Sequence, residues 1–443
     1  DKDLGDLKAK FGQVIEAGVR QIAILEDDGR APGATWSEQA DLIIRLLNDV
    51  TDWLEEKKAS DPKYADLKTD LLFCPGFMAY ANDMTNSSNE DVRKIRKIHA
   101  GVGENVRIVM TGGKIWGDVT TAFADNFYNQ VQQENQKGRY PYLWVNWPCS
   151  DNTHDSLIMG GHNSILRPNL DGSKYHGVIL NPMQDSEPSK VGIFTAADFL
   201  WNVWDGETEV AKQKGDQAWE DSFKYIDHMT PLETDSSRAL KGIAQHMITQ
   251  SDGQANNTGS KFEESLNIKD DLQNFLTKLN ADPDTITTQD TAAIREAFQQ
   301  IKEDVEFYLQ DGTNRRMASQ LTPYASSLSD MAETGCYLMN ALEAIINGNS
   351  SNVYGNFASA QEFYEKAQKH SFLELGNVLY AKGGRRYIIP FIQKVLNHVS
   401  KEADKFVNPE NTASGAYRVT EVSYTPGKSE YQTYTKDKVI DGD

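Results

Sequence analysis

Gln21-Ile22-Ala23-Ile24-Leu25-Glu26-Asp27-Asp28-Gly29 runs from an apolar stretch through Glu26 into two adjacent aspartates and a glycine. A short continuous apolar run is how a parallel strand buried on both faces reads, and ligands collect outside the carboxyl ends of such strands. Asp27 and Asp28 therefore stand where a strand hands over to a loop. Like charges this close cannot both ionise freely, so one carboxyl is expected to hold its proton to higher pH, as an acid working near neutrality must. The plain alternative is a helix N-cap aspartate beside a solvated neighbour.

The same pattern recurs downstream. Candidate strands run from Asp70 to Cys74, Val106 to Met110, Tyr142 to Asn146 and Gly177 to Leu180. Each ends in a turn-forming exit: Pro75-Gly76, Thr111-Gly112-Gly113, Trp147-Pro148 and Asn181-Pro182. Amphipathic helical periods lie between several of them. The clearest carries Leu42, Ile43, Leu46, Leu47, Val50, Trp53 and Leu54 on one face, with Ser37 expected as its N-cap. Alternating strands and helices imply an α/β fold around a parallel sheet. Counting Gln21 to Leu25, these five units fall three short of a (β/α)8 TIM-type barrel. The expectation is a barrel lacking its amino-terminal units, with an open sheet as the alternative.

Three parts are expected: barrel units over 1–207, a helical bundle over 208–407, and the beginning of a β module over 408–443. Helical patterns such as Tyr324 to Ile346 and Ala358 to Leu379 fill the second part, with loops at Thr249 to Lys261 and Asn347 to Asn352. In the third, Tyr417 to Tyr424 alternates in the strand period.

The chain has 443 residues and a formal charge of -20, from 45 basic against 65 acidic residues. That balance argues against a nucleic acid or an anionic membrane as partner. No run of about 18 apolar residues offers a membrane span, and the first residues resemble no signal peptide. Cys74, Cys149 and Cys336 are odd in number and widely spaced, so they read as thiols outside any disulfide framework or zinc cluster. His154 and His162 near Asp151 and Asp155 lack metal-ligand spacing, and Thr111-Gly112-Gly113-Lys114 lacks the full phosphate-loop pattern. No metal or cofactor is expected.

Thr111, Trp144, Asn146, Asp151 and Asn181 add hydrogen-bonding groups and an aromatic to the strand ends. Sugars are bound by such mixtures, an indole giving an apolar wall while amides and carboxylates take hydroxyl and acetamido groups. Singly, each has a bland reading as a core aromatic or a turn residue; their recurrence at successive strand ends points to a site.

Four segments together resemble glycoside hydrolase family 84, the β-N-acetylglucosaminidases that include O-GlcNAcase-like enzymes and proteins labelled hyaluronidase. They are Ile22 to Asp28, Trp144-Val145-Asn146-Trp147-Pro148 with Asp151, Asn181-Pro182-Met183, and Ala197-Asp198-Phe199-Leu200-Trp201-Asn202. The resemblance covers about residues 20 to 205. It implies a (β/α)8 barrel and a retaining exo-β-N-acetylglucosaminidase acting through an oxazoline intermediate, with the substrate's own acetamido oxygen as nucleophile. By that resemblance Asp27 accepts the acetamido N–H, and Asp28 protonates the leaving oxygen and later deprotonates water. Asn146 and Asp151 bind sugar hydroxyls, Asn181 sits near the acetamido group, and Thr111 and Trp144 form the pocket wall.

The family's tyrosine follows Cys-Pro by a fixed short step. Here Met78 holds that place after Cys74-Pro75, and Tyr80, two residues later, is the candidate. A glycine and a lysine from the family's first barrel units have no counterpart. The helical part resembles the bundle that follows the barrel in these enzymes, and the last stretch resembles the opening of a discoidin-like sugar-binding module. Together these imply β-GlcNAc-containing glycans or glycoproteins as partners and a secreted or cell-surface bacterial setting. A glycan-binding barrel without catalysis and an endo-acting hyaluronan or mucin hydrolase are the alternatives.

Overall fold

The structure is a computed structural model describing residues 2–29, 31–76, 78–151, 153–161, 166, 170–203, 209–248 and 263–407, the side chains of 350, 351 and 404–407 aside. His162, the loop from Thr249 to Lys261 and the alternating stretch from Tyr417 to Tyr424 lie outside the described residues. The chain divides into two compact units, Asp1–Glu233 with Ile248–Phe262, and Thr234–Met247 with Glu263–Asp443.

The first unit carries five strands: β1 (Ala23–Leu25), β2 (Leu71–Cys74), β3 (Val106–Met110), β4 (Tyr142–Val145) and β5 (Val178–Leu180). They pair in that order, and every pairing is parallel. A doubly wound sheet reverses its strand order at a switch point. This sheet never reverses, and it is a half-barrel of TIM type. Helices α2 (Trp36–Ser60), α3 (Glu90–Gly101) and α4 (Thr121–Asn135) fill the first three crossovers, α2 packing on α3 and α3 on α4. Between β4 and β5 the described residues hold one short 3-10 turn, Gly172–Lys174. Helix α1 (Lys2–Glu16) precedes the sheet; α5 (Ser186–Trp201) follows it and packs against α6 (Glu209–His228).

Strand alternation sorts the core into two faces. Leu71, Phe73, Ile108 and Met110 pack with Ile43, Leu47, Val50 and Leu54 of α2 and Ile95 and Ile98 of α3. Leu72, Cys74 and Val109 form a second cluster with Tyr80, backed by Trp144 and Ile179. That second face leads toward the strand ends that matter below.

The N-cap of α2 is Thr35, not Ser37. Glu38 stands three residues after Thr35, so the two close a capping box: Glu38 N–H donates to Thr35 Oγ1 at 3.2 Å and Thr35 N–H donates to Glu38 Oε2 at 3.1 Å. Ser37 has no acid three places on, and its hydroxyl instead accepts from Lys97 Nζ at 2.7 Å.

In the second unit, helices Thr288–Asp311, Arg315–Ile346 and Ser350–Ala367 pack in sequence. The helix expected from Ala358 to Leu379 stops at Ala367, and an antiparallel hairpin, Ser371–Glu374 with Asn377–Tyr380, replaces its second half. Leu375 and Gly376 link those strands at φ +49° and +81°. Positive φ at both central residues matches the twist of a two-residue hairpin turn. The expected loop at 347–352 shortens to 347–349, because the next helix begins at Ser350.

Candidate active site

The ladder between β1 and β2 ends at Glu26, whose N–H donates to Cys74 O at 2.9 Å. The chain then turns, Gly29 N–H reaching back to Glu26 O at 2.6 Å. Asp27 occupies the left-handed region at φ +44°, a conformation that aspartate tolerates better than most residues and that clusters at functional sites. The N-cap alternative for this pair is excluded, since both residues lie in a turn and the next helix starts at Trp36.

At these strand ends lies a cavity of about 360 Å³, lined by Asp27, Asp28, Cys74, Tyr80, Ile115, Trp116, Trp144, Asn146, Asp151 and Asn181. That volume falls in the range of small-molecule sites. Tyr80 is on the wall, whereas Met78, at φ +70° and 57% exposed, is not among the lining residues. Thr111 is not among them either. It is buried, and both its N–H and its hydroxyl donate to Tyr80 O, at 2.9 and 3.0 Å. It therefore anchors the loop that presents Tyr80, and forms no wall itself.

Asn146 is a hub. Its Oδ1 accepts from Trp144 Nε1 at 2.8 Å and from Asn181 Nδ2 at 3.0 Å, and its Nδ2 donates to Ile115 O at 2.7 Å. One side chain thus ties the ends of β4 and β5 to the loop after β3, and Asn146, expected to bind a sugar hydroxyl, already has its Oδ1 serving two protein donors. Asn181 is fixed in turn by its N–H to Val145 O at 2.9 Å.

Burial pushes the Asp27 carboxyl above its ordinary pKa, and the nearby charges of Asp28 and Asp151 push it further the same way. Tyr80 rises to about 12, from burial and then from Asp27 and Asp28. Burial likewise raises the Cys74 and Cys149 thiols to about 12, so both stay protonated and are poor nucleophiles. The site therefore offers adjacent carboxylates, a phenol that keeps its proton, and indole and amide groups: the equipment for proton transfer to and from a neutral polar ligand.

Sequence reasoning missed Cys74, Ile115 and Trp116 on this wall. Cys74 was the last residue of a recognised strand and could have been placed by alternation with Leu72. Ile115 and Trp116 lie in an irregular loop whose path no local pattern encodes.

A family model described as NAGidase, beta-N-acetylglucosaminidase, matches residues 1–245, more than half of the chain. Protein O-GlcNAcase of Rattus norvegicus is 24% identical over 213 residues, which are 46% of this chain and 21% of the rat protein. Among solved structures, CpGH84D matches with a TM-score of 0.72 and 26% identity, covering 90% of this chain and 59% of that one. A mutant of the Thermobaculum terrenum O-GlcNAc hydrolase shares the fold with a TM-score of 0.68 at 15% identity, covering 93% of this chain and 78% of that one. The chain thus spans about a fifth of the rat protein and 59% of CpGH84D. With the family model covering the whole half-barrel and its strand-end cavity, the chain belongs to the β-N-acetylglucosaminidase family of glycoside hydrolases.

Proposed function

We propose that this chain is a retaining exo-β-N-acetylglucosaminidase that removes terminal β-linked GlcNAc, with the substrate's 2-acetamido oxygen as nucleophile. One observation carries the reading: Asp27 and Asp28 sit side by side on a single turn at the wall of a sugar-sized cavity. Two-carboxylate mechanisms place their acids on opposite sides of the scissile bond, which adjacent residues of one turn do poorly. Adjacent residues suit a substrate-assisted division, because the leaving oxygen and the acetamido group flank the same anomeric carbon.

In this mechanism Asp27, the carboxyl that burial and its acidic neighbours push up, works ionised because the acetamido N–H it accepts favours its charged form, and it turns the carbonyl oxygen toward the anomeric carbon. The new carbon–oxygen bond forms as the glycosidic bond breaks, and Asp28 gives its proton to the departing oxygen. Water then opens the oxazoline while Asp28 takes its proton back. A partly buried Asp27 interacts more strongly with the positive charge growing on the ring than a solvated one would. Tyr80 remains a hydrogen-bond donor across the working pH range. Asp151 and the wall of Trp144 hold the sugar. Relatives named O-GlcNAcase and O-GlcNAc hydrolase favour GlcNAc linked to protein as the substrate class. The same reading takes the half-barrel as five units of an eightfold barrel and the later helices as a bundle.

An aryl β-N-acetylglucosaminide tests the proposal. Replacing Asp28 by Asn removes the proton donor, and turnover is expected to fall by about 10²- to 10⁴-fold; undiminished turnover in D28N refutes the assignment. Product analysis separates the alternatives: single GlcNAc units mark exo action, internal fragments an endo enzyme, and binding without release a lectin-like barrel.

A further inference from the structure

Glu26 lies outside the cavity lining, yet its side chain joins the two loops that carry the reacting groups. Its Oε1 accepts from Ala31 N–H at 2.5 Å, in the loop after β1, and its Oε2 accepts from Gly76 N–H at 2.9 Å, in the loop after β2 that leads to Tyr80. The cation is supplied by α3: Lys94 Nζ stands 3.8 Å from Oε1, with the two side chains only 7% and 12% exposed. Gly76 lets the loops meet, because a Cβ there would lie 2.7 Å from Gly29 O and 2.9 Å from Glu26 Cδ. A buried ion pair of this kind adds no more stability than an apolar pair of equal volume. What an apolar pair cannot do is accept two backbone N–H groups from two different loops.

We propose that Glu26 is a positioning residue for this site: its carboxylate clamps the Asp27–Asp28 turn to the loop of Tyr80 and so fixes the spacing between acid, acetamido acceptor and phenol. This inference rests on the function proposed above. Lys94 neutralises the clamp, and Gly76 gives it room.

The test uses the whole chain with two variants. E26L/K94M exchanges the ion pair for an apolar one and leaves the amides of Ala31 and Gly76 without their acceptor. G76A keeps the pair and forces the loops apart. In both, kcat on the aryl β-N-acetylglucosaminide is expected to fall by about 10²-fold, the scale of a misplacement near 1 Å, with KM changing far less. In E26L/K94M the melting temperature is expected to fall, because two backbone N–H groups lose their acceptor, and hydrogen exchange is expected to speed up in peptides spanning 29–34 and 75–80 while the rest of the chain keeps its protection. Native kcat in either folded variant, or unchanged exchange in E26L/K94M, overturns the clamp. If the native chain releases no aryl alcohol, the function falls; amide exchange still decides the role of Glu26.

Discussion

The two ends of the same five strands are built on opposite principles. At the amino ends, Arg139 spends its donors on neighbours: Nε on His99 Nε2 at 2.9 Å, Nη1 on the carbonyls of Gly103 and Val106 at 2.8 and 2.9 Å, and Nη2 on His99 O at 3.0 Å. Burial and the Arg139 charge drop His99 to about 4, so the ring stays neutral and accepts the guanidinium. At the carboxyl ends, three carboxylates face one cavity and Asp27 takes a left-handed backbone. The first end commits its charge to fixed hydrogen bonds; the second holds charge in reserve. Barrels of this type segregate stability and chemistry in the same way.

The sharpest way to break this contrast is at Asp27. D27N is expected to lower kcat by about 10²- to 10³-fold, the usual loss when one transition-state partner is removed, while raising the melting temperature at pH 7. The sign follows from linkage. A carboxyl whose folded pKa lies above its ordinary 3.8 is a liability once the unfolded chain has ionised, so the folded state loses stability as pH rises past that value. The gain in D27N should therefore vanish below about pH 3.8. A variant destabilised at pH 7 would place Asp27 among the structural residues.

Arg139 is the converse. R139M takes the guanidinium donor from the carbonyls of His99, Gly103 and Val106, of which Gly103 O keeps the Val106 N–H, and is expected to lower stability by about 2–4 kcal/mol, with kcat/KM unchanged. Denaturant melts beside initial rates check both. The smallest effect is expected at Trp144, where W144F deletes one hydrogen bond to the Asn146 hub but keeps an apolar wall. About 1 kcal/mol of binding, a few-fold rise in KM, is the expected loss. A kcat effect as large as that of D27N would make the indole part of the chemistry.

The half-barrel was legible because apolar parallel strands are encoded locally, although β1, expected to be buried on both faces, leaves Ala23 and Leu25 exposed, Leu25 at 46%. Ile22-Ala23-Ile24-Leu25 and Leu71-Leu72-Phe73-Cys74 announce themselves as apolar runs, and their exits follow from proline and glycine. Side-chain partnerships were not, because they join residues far apart in sequence. Asn146 reaches Ile115 and Asn181, 31 and 35 positions away. The hydroxyl of Thr111 turns to Tyr80, 31 positions away, and away from the cavity. The hairpin at Ser371–Glu374 and Asn377–Tyr380 failed for another reason. Its residues continue a helical period, and Leu375-Gly376 is the turn signal that interrupts it. Thr35-x-x-Glu38 was equally visible, two residues before the serine expected to cap the helix.

Asp27 and Asp28 are joined by a single peptide bond within one closed turn. Their mutual distance is thus a property of local covalent geometry, while their distances to Tyr80 and Asn146 depend on how neighbouring strands are registered. Warming or mild denaturant that loosens the sheet will spread the far walls before it separates the dyad. Under the proposed function such a protein loses grip on its ligand first and the proton transfer last, so its KM should drift upward well before the cooperative melt begins.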